Sequence, residues 1–161
     1  MKIIITDTGT YPGRISIEDR IFRPQNHIHP CLGCFQCWTH TPGICAQQDD
    51  AQYLGALLSK CDEIMIVSRC FHGSFSPFVK MVFERALPYV QPGFEQRAGR
   101  MRHLPRYDND ISLHVYFYEK HISPEEKELA ERMLKDEAEN YHLKDHEIHW
   151  YQDAWQIGGK Q

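Results

Sequence analysis

The sequence predicts an α/β fold, a doubly wound parallel sheet, and three observations support that prediction. Strand-like and helix-like segments alternate along the 161 residues, as they do where helices join parallel strands. The segment 63–68 is apolar on both faces, which is typical of a central parallel strand. Two helices begin with a Ser-Pro pair, at Ser76 and Ser123, in which serine caps the helix and proline takes the first helical position. We therefore expect one domain over residues 1–161, built around a single core.

The first part of the chain predicts a strand, an irregular segment and a helix. Residues 2–6 are a short β-branched run that ends in a turn, as strands often do. Residues 11–30 are rich in Pro, Gly, Asn and His, so they predict irregular or short extended structure without a full helix. Asp49 and Asp50 predict the cap of a helix over 50–60.

The second part predicts two helices and two strands. A helix over 76–87 ends before a proline, and a strand follows over 111–118. A capping box with Glu126 opens a longer helix over 123–140, and 146–151 form the last strand. Such an alternation predicts helices on both faces of the sheet.

Composition narrows the classes of function. The net charge of −4 argues against a protein that coats nucleic acid or an anionic membrane. No apolar run approaches the roughly 20 residues of a membrane-spanning helix, and the first residues lack the pattern of a signal peptide. We expect a cytoplasmic protein with reduced thiols and with neither nucleic acid nor membrane as a partner.

Four of the six cysteines lie within fifteen residues, with the spacing C-x2-C-x2-C-x7-C. They are Cys31, Cys34, Cys37 and Cys45. Such a cluster suits an iron–sulfur centre, a metal site or thiol redox chemistry. Structural zinc usually uses two separated Cys pairs, although His27, His29 and His40 leave a mixed site open. Packing of small buried thiols is the remaining alternative.

Two segments carry a resemblance to a known family. The first runs from Cys31 through Trp38 to Asp49-Asp50, and the second is the strand and loop over 61–76, followed by Lys80 and Glu84-Arg85. In this order they resemble the flavodoxin-like NAD(P)H-dependent oxidoreductases, a group that includes FMN reductases and iron–sulfur flavoproteins. The resemblance covers about residues 31–90.

That resemblance implies a five-stranded parallel sheet of order 2-1-3-4-5, with FMN beyond the carboxyl ends of the strands. The loop after the third strand would line the flavin ring with Ser68, Cys70, Phe71, His72, Gly73 and Ser74. The turn at Thr8, Gly9 and Thr10 is similar to the family's phosphate loop. NADH or NADPH would donate electrons, a small-molecule substrate or electron-transfer partner would accept them, and the protein would form homo-oligomers.

The chain departs from the family pattern after its first strand. Family members continue with a long helix that holds the FMN phosphate, whereas here the first helix is predicted to be missing or shortened. A basic group follows the third helix: Arg97, Arg100, Arg102, His103 and Arg106. It suits a substitute phosphate anchor, a solvated loop, or ion pairs with a second subunit.

Three functions follow from these expectations. The leading one is an FMN-binding oxidoreductase that takes electrons from a reduced nicotinamide. The second is an electron-transfer or sensor protein with a [4Fe–4S] cluster on the four cysteines. The third is a degenerate flavodoxin-like binding module without flavin. No catalytic residue is predicted, because the flavin itself carries the redox chemistry.

Overall fold

The computed structural model describes residues 1–11 and 13–158, so Pro12 of the predicted irregular segment and residues 159–161 lie outside the described residues. The strands are β1 (Lys2–Thr6), β2 (Arg20–Phe22), β3 (Glu63–Arg69), β4 (Val90–Arg97), β5 (Arg100–Pro105), β6 (Ser112–Tyr118) and β7 (Asp145–Tyr151). The α-helices are α1 (Gln36–Thr39), α2 (Leu54–Leu58), α3 (Pro77–Glu84) and α4 (Pro124–Asn140).

The main sheet has five parallel strands in the order β2-β1-β3-β6-β7. Because β4 and β5 form a separate antiparallel hairpin, this is the predicted order 2-1-3-4-5. One register row joins Ile5, Ile66, Val115 and Ile148 across four strands. The fold class predicted from the sequence is confirmed.

One face of the sheet carries the hydrophobic core. Alternate strand residues such as Ile66 and Val115 belong to the same buried cluster as Leu54 of α2, Val79 of α3 and Leu134 of α4. Helices α2, α3 and α4 therefore all pack on this face, which we call the covered face.

The opposite face, the bare face, has no α-helix packed on it within the described residues. Its cover includes Tyr11, whose hydroxyl donates to Met65 Sδ at 3.3 Å. The helix expected on this side belongs to the connection between β1 and β2, which contains none among its described residues. The predicted loss of the first helix is confirmed, and the expectation of helices on both faces is met on one face only.

Helix boundaries follow local capping. The Ser76 hydroxyl accepts from the Val79 amide at 3.5 Å, and Ser123 forms the predicted capping box with Glu126. The helix predicted over 50–60 is shorter, since α2 begins at Leu54 without a side-chain cap. The helix predicted over 76–87 ends at Glu84, and a 3-10 turn follows.

The β4–β5 hairpin was not predicted. It contains most of the basic group, namely Arg97, Arg100, Arg102 and His103, and Arg106 directly follows it. Arg102 pairs with Glu139 at 2.6 Å, and Arg100 pairs with Asp136, both near the carboxyl end of α4. This end of α4 leads into β7, so the hairpin lies at the amino end of the sheet, opposite the edge predicted to bind phosphate. Arg100 and Arg102 pair with α4 at this end of the sheet, so the basic group does not lie where a substitute phosphate anchor would be needed.

Membrane-spanning helices require both length and apolar composition. No helix in the described part of the chain has both.

Candidate functional site

The candidate site is the carboxyl edge of the sheet where the strand order reverses, between β1 and β3. In open parallel sheets the connections leave in opposite directions at such a point, and a crevice opens between the two loops. Here the loops are residues 7–10 after β1 and 70–74 after β3. Both contain the residues predicted to contact FMN.

The loop after β1 is a tight turn organised by threonines. The Thr8 amide donates to Thr6 Oγ1 at 3.1 Å, and the Thr8 hydroxyl donates to the Thr10 carbonyl at 2.7 Å. Among the described residues, the amides of Gly9 and Thr10 have no protein acceptor. The Arg23 guanidinium donates to the Gly9 carbonyl at 3.4 Å. Free amides beside a guanidinium form a setting that suits an anion.

Sequence reasoning missed Arg23. It follows β2, whose pairing with β1 brings the ends of the two strands side by side. The signal available in the sequence was a basic residue directly after the short extended run 20–22, within the segment 11–30 that was interpreted as irregular.

The loop after β3 is a closed turn between Phe71 and Ser74, whose backbones exchange hydrogen bonds of 2.9 and 3.1 Å. His72 and Gly73 have positive φ angles of 52° and 71°. A Cβ on Gly73 would lie 2.9 Å from the Glu126 carbonyl oxygen of α4. Glycine is therefore required here by the approach of α4, whereas the sequence suggested the approach of a flat ligand.

The remaining predicted residues of this loop divide into buried supports and exposed side chains. Buried Ser68 accepts from the Ser76 amide at 2.8 Å, and Ser74 contacts Met133 Sδ at 3.1 Å. Burial raises the pKa of the Cys70 thiol, which keeps it protonated. Phe71 is 45% exposed and packs edge-on against His72. Flavin contact by these residues stays a prediction.

An Asp7 network joins three loops at this edge, and sequence reasoning missed it. Asp7 accepts from the Arg69 amide at 2.8 Å and from the Tyr118 hydroxyl at 3.0 Å. Burial and the Asp7 charge raise the pKa of Tyr118, so its hydroxyl remains a donor. Arg69 also pairs with Glu119. The ends of β1, β3 and β6 are thereby held in fixed relation.

Three of the four clustered cysteines come together around one cavity. Cys31, Cys37 and Cys45 line one cavity of about 40 Å³ together with Arg85, whereas exposed Cys34 does not line it. A volume of this size holds about one water molecule. The cavity in this form has no space for a [4Fe–4S] cluster, so the cysteine-bearing segment would have to open to hold one. The cavity lies at the carboxyl end of α3, one helix length from the loop after β3.

A buried ion pair fixes the cysteine-bearing segment to α3. Arg85 donates to both carboxylate oxygens of Asp49, at 2.7 and 2.8 Å, and also to the His29 carbonyl at 2.7 Å. Burial opposes ionisation of Asp49, but hydrogen bonds from Arg85 and from two backbone amides lower its pKa to about 2. Asp49, predicted as a helix cap, is thus the partner of Arg85.

Comparisons with known proteins agree with this architecture. No protein-family model matches the chain, and no curated protein matches it. A solved FMN-dependent NADH-azoreductase from Bacillus anthracis str. Ames Ancestor, in complex with FMN, superposes with a TM-score of 0.55. Its sequence is 10% identical, and the match covers 96% of this chain and 88% of that one. The chain has a flavodoxin-like fold.

Proposed function

We propose that this protein is an FMN-binding oxidoreductase that takes its electrons from NADH. The observation that carries the proposal is the meeting of two predicted cofactor loops at the point where the strand order reverses. The structurally similar azoreductase, which binds FMN, supports the choice of ligand.

The phosphate end of FMN would bind the loop after β1. The Gly9 and Thr10 amides line this turn, and Arg23 adds a positive charge beside it. In place of a helix N-terminus, this chain would use two amides and a guanidinium.

The ring end of FMN would lie against the loop after β3. Phe71 offers an exposed aromatic surface there, and the reciprocal bonds between Phe71 and Ser74 hold the turn rigid. Packing of Gly73 on α4 fixes the turn's position. Bound FMN supplies two-electron redox chemistry, while the chain binds and orients it.

An FMN titration followed by fluorescence quenching tests the proposal. We expect saturable binding that weakens about tenfold or more in Arg23→Ala, since a charge-assisted phosphate contact contributes about 1.5–3 kcal/mol. Exposed Arg14→Ala is the matched control. Phe71→Ala tests the contact with the flavin ring and should weaken binding. Phe94 is 58% exposed on the hairpin, and Phe94→Ala should leave binding unchanged.

Anaerobic addition of NADH or NADPH then tests the electron donor through loss of the visible absorbance of bound FMN. Bleaching by NADPH alone would reverse the choice of nicotinamide. Failure to bind FMN would contradict the proposal and favour a binding module without flavin. Iron and sulfide in stoichiometric amounts would instead favour the iron–sulfur alternative, which the small cysteine cavity argues against.

A further inference from the structure

Three potential metal ligands meet on the bare face of the sheet, away from the cofactor loops. His114 of β6 lies directly opposite Glu147 of β7 in the parallel register. His149 is two residues further along β7, so it projects from the same face as Glu147. The pleat of two neighbouring strands thus places two imidazoles and one carboxylate side by side.

The distances between these ligand atoms match those around a bound metal. Glu147 Oε2 lies 3.4 Å from His114 Nδ1 and 3.4 Å from His149 Nε2. All three ligand atoms lie within 4.8 Å of one another. In a tetrahedral zinc site with bonds of about 2.0–2.1 Å, neighbouring ligand atoms lie about 3.3 Å apart. One ion can therefore contact all three with small rotamer adjustments.

The surroundings leave room for the ion and orient one of its ligands. Solvent exposure of the three side chains is 25% for His114, 60% for Glu147 and 39% for His149, so water reaches the site. Tyr116 stacks on the His149 ring at 4.8 Å between centroids, with planes 19° apart. The stacking limits the rotation of one ligand before any metal arrives.

We propose that His114, Glu147 and His149 bind a divalent transition-metal ion, and that Zn²⁺ is the ion they suit. Two neutral imidazoles and a carboxylate are ligands that zinc prefers, and three protein ligands leave the fourth position to water or to another ligand. The site does not depend on the proposed flavin, because it uses neither loop of the candidate functional site.

Side-chain NMR of the histidines tests the site directly, because thiols are zinc ligands too and total zinc uptake would not separate the two sets. In long-range ¹H–¹⁵N spectra of the intact protein, we expect Zn²⁺ to shift the ring resonances of His114 and His149 together. We also expect His149→Ala to weaken zinc binding, read at His114, by more than about tenfold, because losing a group that merely orients a ligand costs about 10- to 100-fold.

His146→Ala is the matched control, since His146 is exposed on the same strand but faces the covered side. It should leave the zinc affinity read at His114 unchanged. Glu147→Gln, which keeps the shape but removes the charge, should weaken binding as His149→Ala does. Unshifted rings at saturating Zn²⁺, or equal affinities for the His149 and His146 variants, would overturn the proposal.

Discussion

The two faces of the central sheet differ in how they are covered, although they share the same strands. On the covered face, Val115 and Phe117 are fully buried beneath the helices. On the bare face, the intervening His114, Tyr116 and Tyr118 are only partly buried. The difference coincides with the connection between β1 and β2, which has no helix among its described residues to cover this face. Over β6 this face presents polar and aromatic side chains, whereas aliphatic Ile4 and Val67 of the inner strands stay fully buried on the same face.

The largest expected effect contrasts two neighbouring residues of β6. Phe117→Ala should destabilise the protein by about 3–5 kcal/mol, because it leaves a cavity under the helices. Tyr116→Ala on the bare face should cost about 1–2 kcal/mol, since no enclosed cavity forms. Equilibrium unfolding in urea measures both changes. Equal losses would mean that the second face is as tightly packed as the first.

The buried Asp49–Arg85 pair at the edge of the covered side should come next. Asp49→Asn leaves Arg85 buried without its counter-charge, which should cost about 3 kcal/mol of the free energy of unfolding. The lowered pKa of Asp49 stabilises the fold at pH values above its ordinary 3.8. That contribution should disappear as the pH falls from 3.8 towards about 2.

Urea unfolding at several pH values in this range checks the expectation. The wild-type protein should lose stability on acidification, and Asp49→Asn should lose less. Exposed Asp108→Asn is a suitable control and should follow the wild type. A parallel decline in the wild type and Asp49→Asn would contradict the role assigned to this carboxyl group.

Gly73 tests the contact between the candidate cofactor loop and α4. Gly73→Ala should cost about 1–3 kcal/mol, because its φ of 71° disfavours other residues and the new Cβ would meet the Glu126 carbonyl. Gly99→Ala, at φ 78° with open space around it, isolates the backbone part of the cost. Thermal unfolding of the two variants separates the steric part. A larger loss for Gly99→Ala would argue against close packing on α4.

The smallest effect should come from Tyr11, which covers part of the bare face. Tyr11→Phe removes only the hydrogen bond to Met65 Sδ, so a loss of at most about 0.5 kcal/mol is expected. Burial raises the pKa of Tyr11 to about 12, so a spectrophotometric titration reports whether its ring is packed. Titration at the ordinary value near 10 would show that the bare face is fully open.

Local signals predicted most of the sheet and its helix starts. The Ser-Pro caps at Ser76 and Ser123 and the apolar run of β3 are short-range patterns, and the structure keeps all three. The β4–β5 hairpin was missed because its strands are mostly exposed and interrupted by Pro92 and Gly93. Its position depends on ion pairs with α4, which lies far along the chain.

The candidate sites show the same contrast between local sequence signals and contacts between distant parts of the chain. Motifs predicted the two candidate loops, whose contact with a cofactor stays a prediction, but Arg23 and the Asp7 network depend on which strand ends lie side by side. His114 belongs to no motif of closely spaced metal ligands, so no sequence pattern selects it. The Glu-x-His spacing of Glu147 and His149 was the signal available in the sequence. The third ligand, His114, is brought beside them only by the register of β6 against β7.

The contact of Gly73 with α4 has a consequence for communication through the protein. A Cβ at residue 73 would meet the Glu126 carbonyl oxygen at 2.9 Å and the Leu129 side chain at 3.0 Å, so the turn lies directly against the start of α4. A ligand that pushes the turn towards α4 has to displace either the helix backbone or the Leu129 side chain. At its other end α4 pairs with the β4–β5 hairpin through Arg102 and Glu139, so one helix contacts both the candidate loop and the hairpin.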